Sequence, residues 1–204
     1  VTAWLLAAAL PSLAPWWLTA LGVAFAIVVA KHLYGGLGYN PFNPAMVGYV
    51  VLLISFPREM STWPIPHGVG QAHALGLPDT LEIVFGGAGR LVADGLTGAT
   101  PLDVLRTQLG LGLTVTEIRN SPVFGIVSGS GWEWAALGFL AGGLWLVYTR
   151  AADWRIPVGM LGGLATIATV FYLVDPQRYA PPWFQVWSGA AIFGAFFIAT
   201  DPVT

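Results

Sequence analysis

The chain has 204 residues, 56% of them hydrophobic and only 9% charged, against roughly 25% charged in an ordinary soluble domain. So few charges cannot cover a soluble surface, and 26 Gly and 15 Pro among apolar runs suit membrane helices, whose neighbours satisfy the backbone groups these residues free. A net charge of -2 without a Lys/Arg cluster argues against nucleic-acid binding and against a polybasic lipid patch. The absence of cysteine excludes disulfides, thiolate zinc sites and iron–sulfur ligation by this segment, so any electrons passing through it need an organic carrier.

A membrane helix takes about 20 mainly apolar residues, with about 17 to 25 the usual range. Val1 to Leu10 reads as the end of one helix, closed by Pro11 and Pro15. Trp16 to Ala30 is a second, with Trp16 and Trp17 placed for an interfacial belt and Lys31 and His32 marking its exit. Asn43 to Phe56 is a shorter span ending at Pro57, and Trp132 to Tyr148, Ile156 to Val174 and Phe184 to Ala199 bring the expected count to six. The opening VTAWLLAAALP has neither an initiator Met nor a basic leader segment, so it is not expected to be a signal peptide. Both ends are expected to continue into a larger membrane protein.

Between these groups lies a stretch too charged to be a span, with Arg58, Glu59, Asp79, Glu82, Arg90, Asp94, Asp103, Arg106, Glu117 and Arg119. The expected organisation is therefore helices over 1–57, a long functional loop over 58–130, and helices over 131–204. Within the loop, Thr100 to Gly110 is expected to form a short helix with Pro101 in its first turn, and Thr116 to Asn120 another turn. Two arginines in the short loop 150–155, with Lys31 on the same side if spans alternate, put the long loop on the periplasmic face. Arg178 is a minor dissent.

The sharpest local signal is Asp94-Gly95-Leu96-Thr97-Gly98-Ala99-Thr100-Pro101-Leu102. Gly95 and Gly98 let the backbone turn and let a bulky partner approach closely, while Thr100 offers a hydroxyl among small neighbours. From the residues alone, a polar turn followed by a Pro-initiated helix is the commoner explanation. This segment, however, resembles at every position the flavinylation motif D-G-x-[ST]-G-[AS]-T of the RnfD/NqrB membrane subunits. GGLGYNPFNPAMVGYVVLLISFP (35–57), ATPLD (99–103), GSGWEW (129–134) and GAFFIATDPVT (194–204) resemble RnfD segments in the same order. The long loop and the ATPLD continuation set the resemblance nearer RnfD than NqrB.

The resemblance implies an all-α polytopic membrane protein, a helix bundle on an inverted-repeat, transporter-like scaffold in a bacterial inner membrane. It implies a flavin mononucleotide (FMN) joined through its phosphate to Thr100 by a flavin transferase, with Asp94, Gly95, Thr97, Gly98 and Ala99 forming the rest of the cofactor site. It further implies partner subunits of the Rnf/Nqr type, among them a second FMN-carrying subunit, and a relay that links ferredoxin or NADH oxidation to sodium or proton export. A second, non-covalent flavin such as riboflavin is a further expectation, placed at Asn40-Pro41-Phe42-Asn43-Pro44-Ala45. There Asn40 and Asn43 have amides to meet a ring's carbonyls and nitrogens. The simpler explanation of that segment is a helix start capped by Asn43 with Pro44 in its first turn.

Asn43-Pro44-Ala45 also matches the aquaporin signature, but a pore of that kind needs two copies and only one is present. Asp201-Pro202-Val203 is expected to take the analogous place in the second half of an inverted repeat. His67 and His73 lack an acidic neighbour to complete a metal site. Glu133 begins a span, where the helix dipole favours a carboxylate, and Trp63 and Trp132 are interfacial anchors that could instead stack on a flavin. Two rivals stand beside the redox reading: a channel or transporter without a redox centre, and a structural scaffold.

Overall fold

The computed structural model describes residues 2–36, 39–66, 76–86 and 98–201. Its regular structure is helical; among the described residues one β-bridge joins Phe124 and Gly129. Two compact units divide the chain, one made of Val1–Ile65, Ala72–Gly98 and Asp201–Thr204, the other of Pro66–Gln71 and Ala99–Thr200.

In the first unit, Thr2–Ala9, Trp16–Ala24 with its π-helical continuation Phe25–His32, and Pro44–Ser55 pack on one another. The buried stripe of the second helix is Leu18, Gly22, Ala26 and Ala30, spaced four residues apart, while Leu21, Val23, Phe25 and Val28 are exposed. Small residues at this spacing bring helix backbones close, the arrangement that membrane helices use where hydrophobic exclusion cannot drive association. Gly48 shows how close: a Cβ there would lie 2.6 Å from the Gly22 carbonyl oxygen. Short helices Pro57–Met60 and Leu77–Phe85 complete the unit.

The second unit contains Pro101–Gly110, Val115–Ile118, Trp132–Tyr148, Arg155–Val174 and a final helical stretch. One core gathers Leu105, Val115, Ile118, Ala180 and Phe184. Another gathers Ala136, Ile192, Ala195 and Phe196, with Phe139 and Phe197 packed against it. Gly143 lets the Phe196 ring approach, since a Cβ at 143 would sit 2.3 Å from it.

Trp132–Tyr148 has the expected limits, and Arg155–Val174 begins one residue earlier than expected. The single span expected over Phe184 to Ala199 is instead broken into Pro182–Trp187, Ala191–Phe193 and π-helical Gly194–Ile198. The cause is local: Ser188 is extended at ψ 152, and Gly189 has φ +61, a left-handed conformation that glycine adopts without a Cβ penalty. Ser188 Oγ meets Ser128 Oγ at 2.8 Å in a buried position, so the break is anchored.

Among the described residues, Arg155–Val174 is the one helix long and apolar enough to cross a bilayer, and only 6% of its apolar window is buried. A soluble protein's core helix would be mostly covered; here Val158, Ile167, Val170, Leu173 and Val174 face outward. Pro44–Ser55, with 12 residues, is about 18 Å long at about 1.5 Å per residue, well short of the roughly 30 Å hydrocarbon layer.

Candidate functional site

Thr100 caps the Pro101–Gly110 helix, with Pro101 in its first turn as expected. Its φ and ψ of -65 and 157 are non-helical, and Oγ1 accepts the Asp103 amide at 3.3 Å. The same hydroxyl donates to Asp103 Oδ2 at 2.7 Å. Thr100 is half-buried, and Ala99 and Asp103 are exposed, so Oγ1 has a route to solvent.

The helix beneath it is fixed from two sides. Leu105 enters the core with Val115, Ile118 and Phe184, and Leu102 and Leu109 pack against that core. Pro101 is buried against Gly129, where a Cβ would come within 2.1 Å of the Pro101 Cγ. Gly129 belongs to a tight turn in which Gly125 donates its amide to the Ser128 carbonyl at 2.8 Å. Glu133 holds that turn: its Oε1 accepts the amides of Val127 at 2.7 Å and Ser128 at 2.8 Å. The stabilising role expected of Glu133 at the start of its helix is thus joined by a clamp on the preceding turn, which the sequence did not reveal.

Gly98 donates its amide to the Trp63 carbonyl at 3.1 Å and lies so close to Ile65 that a Cβ would meet its side chain at 2.8 Å. The need for glycine at 98 is therefore close packing. Asp94, Gly95 and Thr97, like His67 and His73, lie outside the described residues.

The second constellation is capped as expected: Asn43 Oδ1 accepts the amides of Ala45 at 2.9 Å and Met46 at 3.4 Å. Its Nδ2 donates to Asp201 Oδ2 at 2.9 Å, across 158 positions of sequence. Both polar ends of Asn43 are thus engaged. Asn40 differs, being 2% exposed, with Nδ2 donating to the Phe42 carbonyl at 2.8 Å and Oδ1 buried with no hydrogen-bond partner among the described residues. An unsatisfied buried acceptor is costly, by about 1–3 kcal/mol, unless a donor arrives from elsewhere.

A second capped turn lies close in sequence. Thr114 Oγ1 and the Thr114 amide both donate to Glu117 Oε2, at 2.7 and 2.8 Å, and Glu117 returns its amide to the hydroxyl at 3.4 Å. The Thr114 amide and hydroxyl hold the Glu117 carboxyl below its ordinary value. Among the described residues there is no group of three or more His, Asp or Glu able to hold a metal ion.

The residues at Thr100 fit a phosphate ester in two respects: Oγ1 reaches solvent, and it stands at the amino end of a ten-residue helix, whose dipole favours an anion. The Asp103 carboxylate, of like charge, opposes it. In the sequence Asp103 stands out only as one of the loop's charges; its Thr-x-x-Asp spacing is the signal that could have found it.

The sequence model of the NQR2, RnfD, RnfE family matches residues 1–204. The chain is 48% identical over 214 aligned positions to the D subunit of the ion-translocating oxidoreductase complex of Shigella dysenteriae, covering all of this chain and 60% of that relative. It is 49% identical to the corresponding protein of Vibrio vulnificus, over 219 positions and 62% of the relative, and 49% identical to that of Escherichia fergusonii, over 214 positions and 60%. The chain therefore spans about three fifths of the length of these curated relatives.

Proposed function

From the premise that this chain belongs to the NQR2, RnfD, RnfE family, we propose that it is part of the D subunit of an ion-translocating oxidoreductase complex, carrying electrons through an FMN esterified to Thr100. The observation that carries this reading is the placement of the last threonine of Asp94-Gly95-Leu96-Thr97-Gly98-Ala99-Thr100. Its hydroxyl is solvent-reachable at a helix amino terminus rather than buried in a core.

When bound, the flavin supplies reversible electron uptake. The chain's own residues do the rest. Thr100 anchors the phosphate, the Pro101–Gly110 helix offers the favourable end of its dipole, and Glu133, Gly129 and Pro101 hold that helix start in place. The remaining motif residues, Asp94, Gly95, Thr97, Gly98 and Ala99, belong with Thr100 to the cofactor site. Asn40 is the better candidate for a second, non-covalent flavin such as riboflavin, because its buried Oδ1 has no donor among the described residues, with Asn43 holding the helix start beside it.

The subunit works as a component of a translocase in the bacterial inner membrane, crossing it several times on an inverted-repeat, transporter-like scaffold. Residues 58–130 form its periplasmic loop. Its partners are the other Rnf/Nqr-type subunits, one of them also carrying FMN, together with the transferase and membrane lipid. The electrons drive export of Na+ or H+. The Asn43–Asp201 bond supports the scaffold reading, since it joins an Asn-Pro and an Asp-Pro pair at helix breaks in the two halves of the chain.

The test is the full-length subunit produced with its flavin transferase, denatured, washed and run on a gel under ultraviolet light. A fluorescent band in the native sequence that disappears in Thr100→Ala is expected. A band that survives Thr100→Ala, or a colourless native protein, overturns the assignment.

A further inference from the structure

We propose that Asp103 is the base that takes the Thr100 hydroxyl proton as the flavin phosphate is attached, so that the chain activates its own acceptor. This rests on the reading of Thr100 as the ester site and goes beyond it, because it concerns how the bond is made.

An alcohol is a weak nucleophile and is activated by a base within hydrogen-bond reach, about 2.6–3.2 Å for the heavy atoms. Asp103 Oδ2 stands 2.7 Å from Thr100 Oγ1 and accepts its hydrogen bond already in the unmodified chain. The backbone holds this geometry. Asp103 is the third residue of the helix that Thr100 caps, and its amide donates to the same hydroxyl at 3.3 Å; an oxygen that donates one bond and accepts one has a second lone pair for attack. Asp103 is exposed, so the proton passes from it to water.

Thr114 and Glu117 provide an internal comparison at the same spacing. There the longer Glu side chain also accepts the Thr114 amide, closing a reciprocal cap that makes the carboxylate a poorer base. At Thr100 the shorter Asp side chain reaches the hydroxyl, and among the described residues no such amide bond closes the box. The two sites share a capping pattern but differ in what the carboxylate is free to do.

The step balances without a redox partner. Thr100 Oγ1 gives its proton to Asp103 and forms a bond to the flavin-bearing phosphorus of an FMN unit activated as a phosphoanhydride. The anhydride P–O bond breaks, and its electron pair leaves on the departing phosphate group.

The test uses the full-length subunit, produced in membranes without the transferase and then incubated with purified transferase and the activated flavin donor. The fluorescent band is followed in time and normalised to the amount of protein. Asp103→Asn keeps the backbone amide and an acceptor oxygen for the cap but removes the base. We expect it to slow attachment by about 100-fold near neutral pH, the lower part of the range for general-base catalysis, with the deficit narrowing as pH rises and hydroxide replaces the lost base. Asp103→Glu should recover part of the rate but stay slower than native, because the longer side chain also engages the Thr100 amide as Glu117 does at Thr114, whereas a purely structural cap defect would be fully repaired by Glu, which closes the reciprocal cap. A native-to-Asn ratio below about tenfold, or one that does not change with pH, overturns the base while leaving the ester intact. A native chain that takes up no flavin overturns both.

Discussion

Gly129→Ala tests whether the turn clamped by Glu133 sets the position of Thr100. The added Cβ would lie 2.1 Å from Pro101 Cγ and 3.0 Å from Trp132 Cδ1, against about 3.5–4.0 Å for favourable carbon contact. At least about 1.4 Å must therefore be taken up by movement. Little on either side can give. Pro101 is a buried ring of fixed φ in the first turn of the helix, and the turn is tied to the Glu133 carboxylate by two short hydrogen bonds. Overpacking of this kind costs about 1–3 kcal/mol, offset by about 0.4–1 kcal/mol from the stiffer unfolded chain. The net loss of up to about 2.6 kcal/mol, about 1.3 at mid-range, corresponds at mid-range to a Tm lowered by roughly 3–5 °C for a chain of this size. Thermal unfolding of the detergent-solubilised full-length subunit reads it, with Gly138→Ala as the comparison: nothing lies within 4 Å of the Cβ added there, and alanine gains up to about 1 kcal/mol in a helix interior. The flavin band should weaken in Gly129→Ala and stay full in Gly138→Ala. Equal melting of the two variants would refute the packing argument, and a destabilised Gly129→Ala with an undiminished band would refute the link to Thr100.

Asn43→Ala removes both a helix cap and the bond to Asp201, so it should cost about 1 kcal/mol from the cap alone and show a coupling of about 0.5–3 kcal/mol with Asp201→Ala in a double-mutant cycle. Additive effects of the two substitutions would show that the long-range bond contributes nothing. For Glu117 the sign is that of a carboxyl lowered in the fold: stabilisation is complete above its ordinary value of 4.5 and is lost as pH falls through the lower folded value. Protection of the Thr114 amide from hydrogen exchange, referenced to neighbouring amides, should fall in that acid window and lose its pH dependence in Glu117→Gln.

What the sequence revealed follows the reach of each signal. Caps are local: Asn43 before Pro44 was legible as one, while the helix at Pro101 was read as starting at Thr100, which is its cap. Trp132–Tyr148 was equally clear, because a charge-free apolar run from Trp134 to Tyr148 lies between Gly131 and Arg150. The break at Ser188-Gly189 was not, since both residues occur inside membrane helices as well as at their ends. What decides between the two is the Ser128–Ser188 contact, which spans 60 positions of sequence.

The Asn43–Asp201 bond shows why the candidate site was read only in part. Each residue precedes a proline, and each alone reads as a helix cap. Their pairing depends on the first unit bringing Asp201 back to the start of Pro44–Ser55, which no local pattern encodes. The pairing also changes the chemistry available there. By engaging the Asn43 amide, Asp201 leaves the buried Asn40 Oδ1 as the acceptor still to be met. A donor group entering beside this helix start would satisfy it and recover the cost of its burial. A ligand without a donor would leave that cost in place, so a flavin bound there, as proposed, would be chosen by its hydrogen-bond donors.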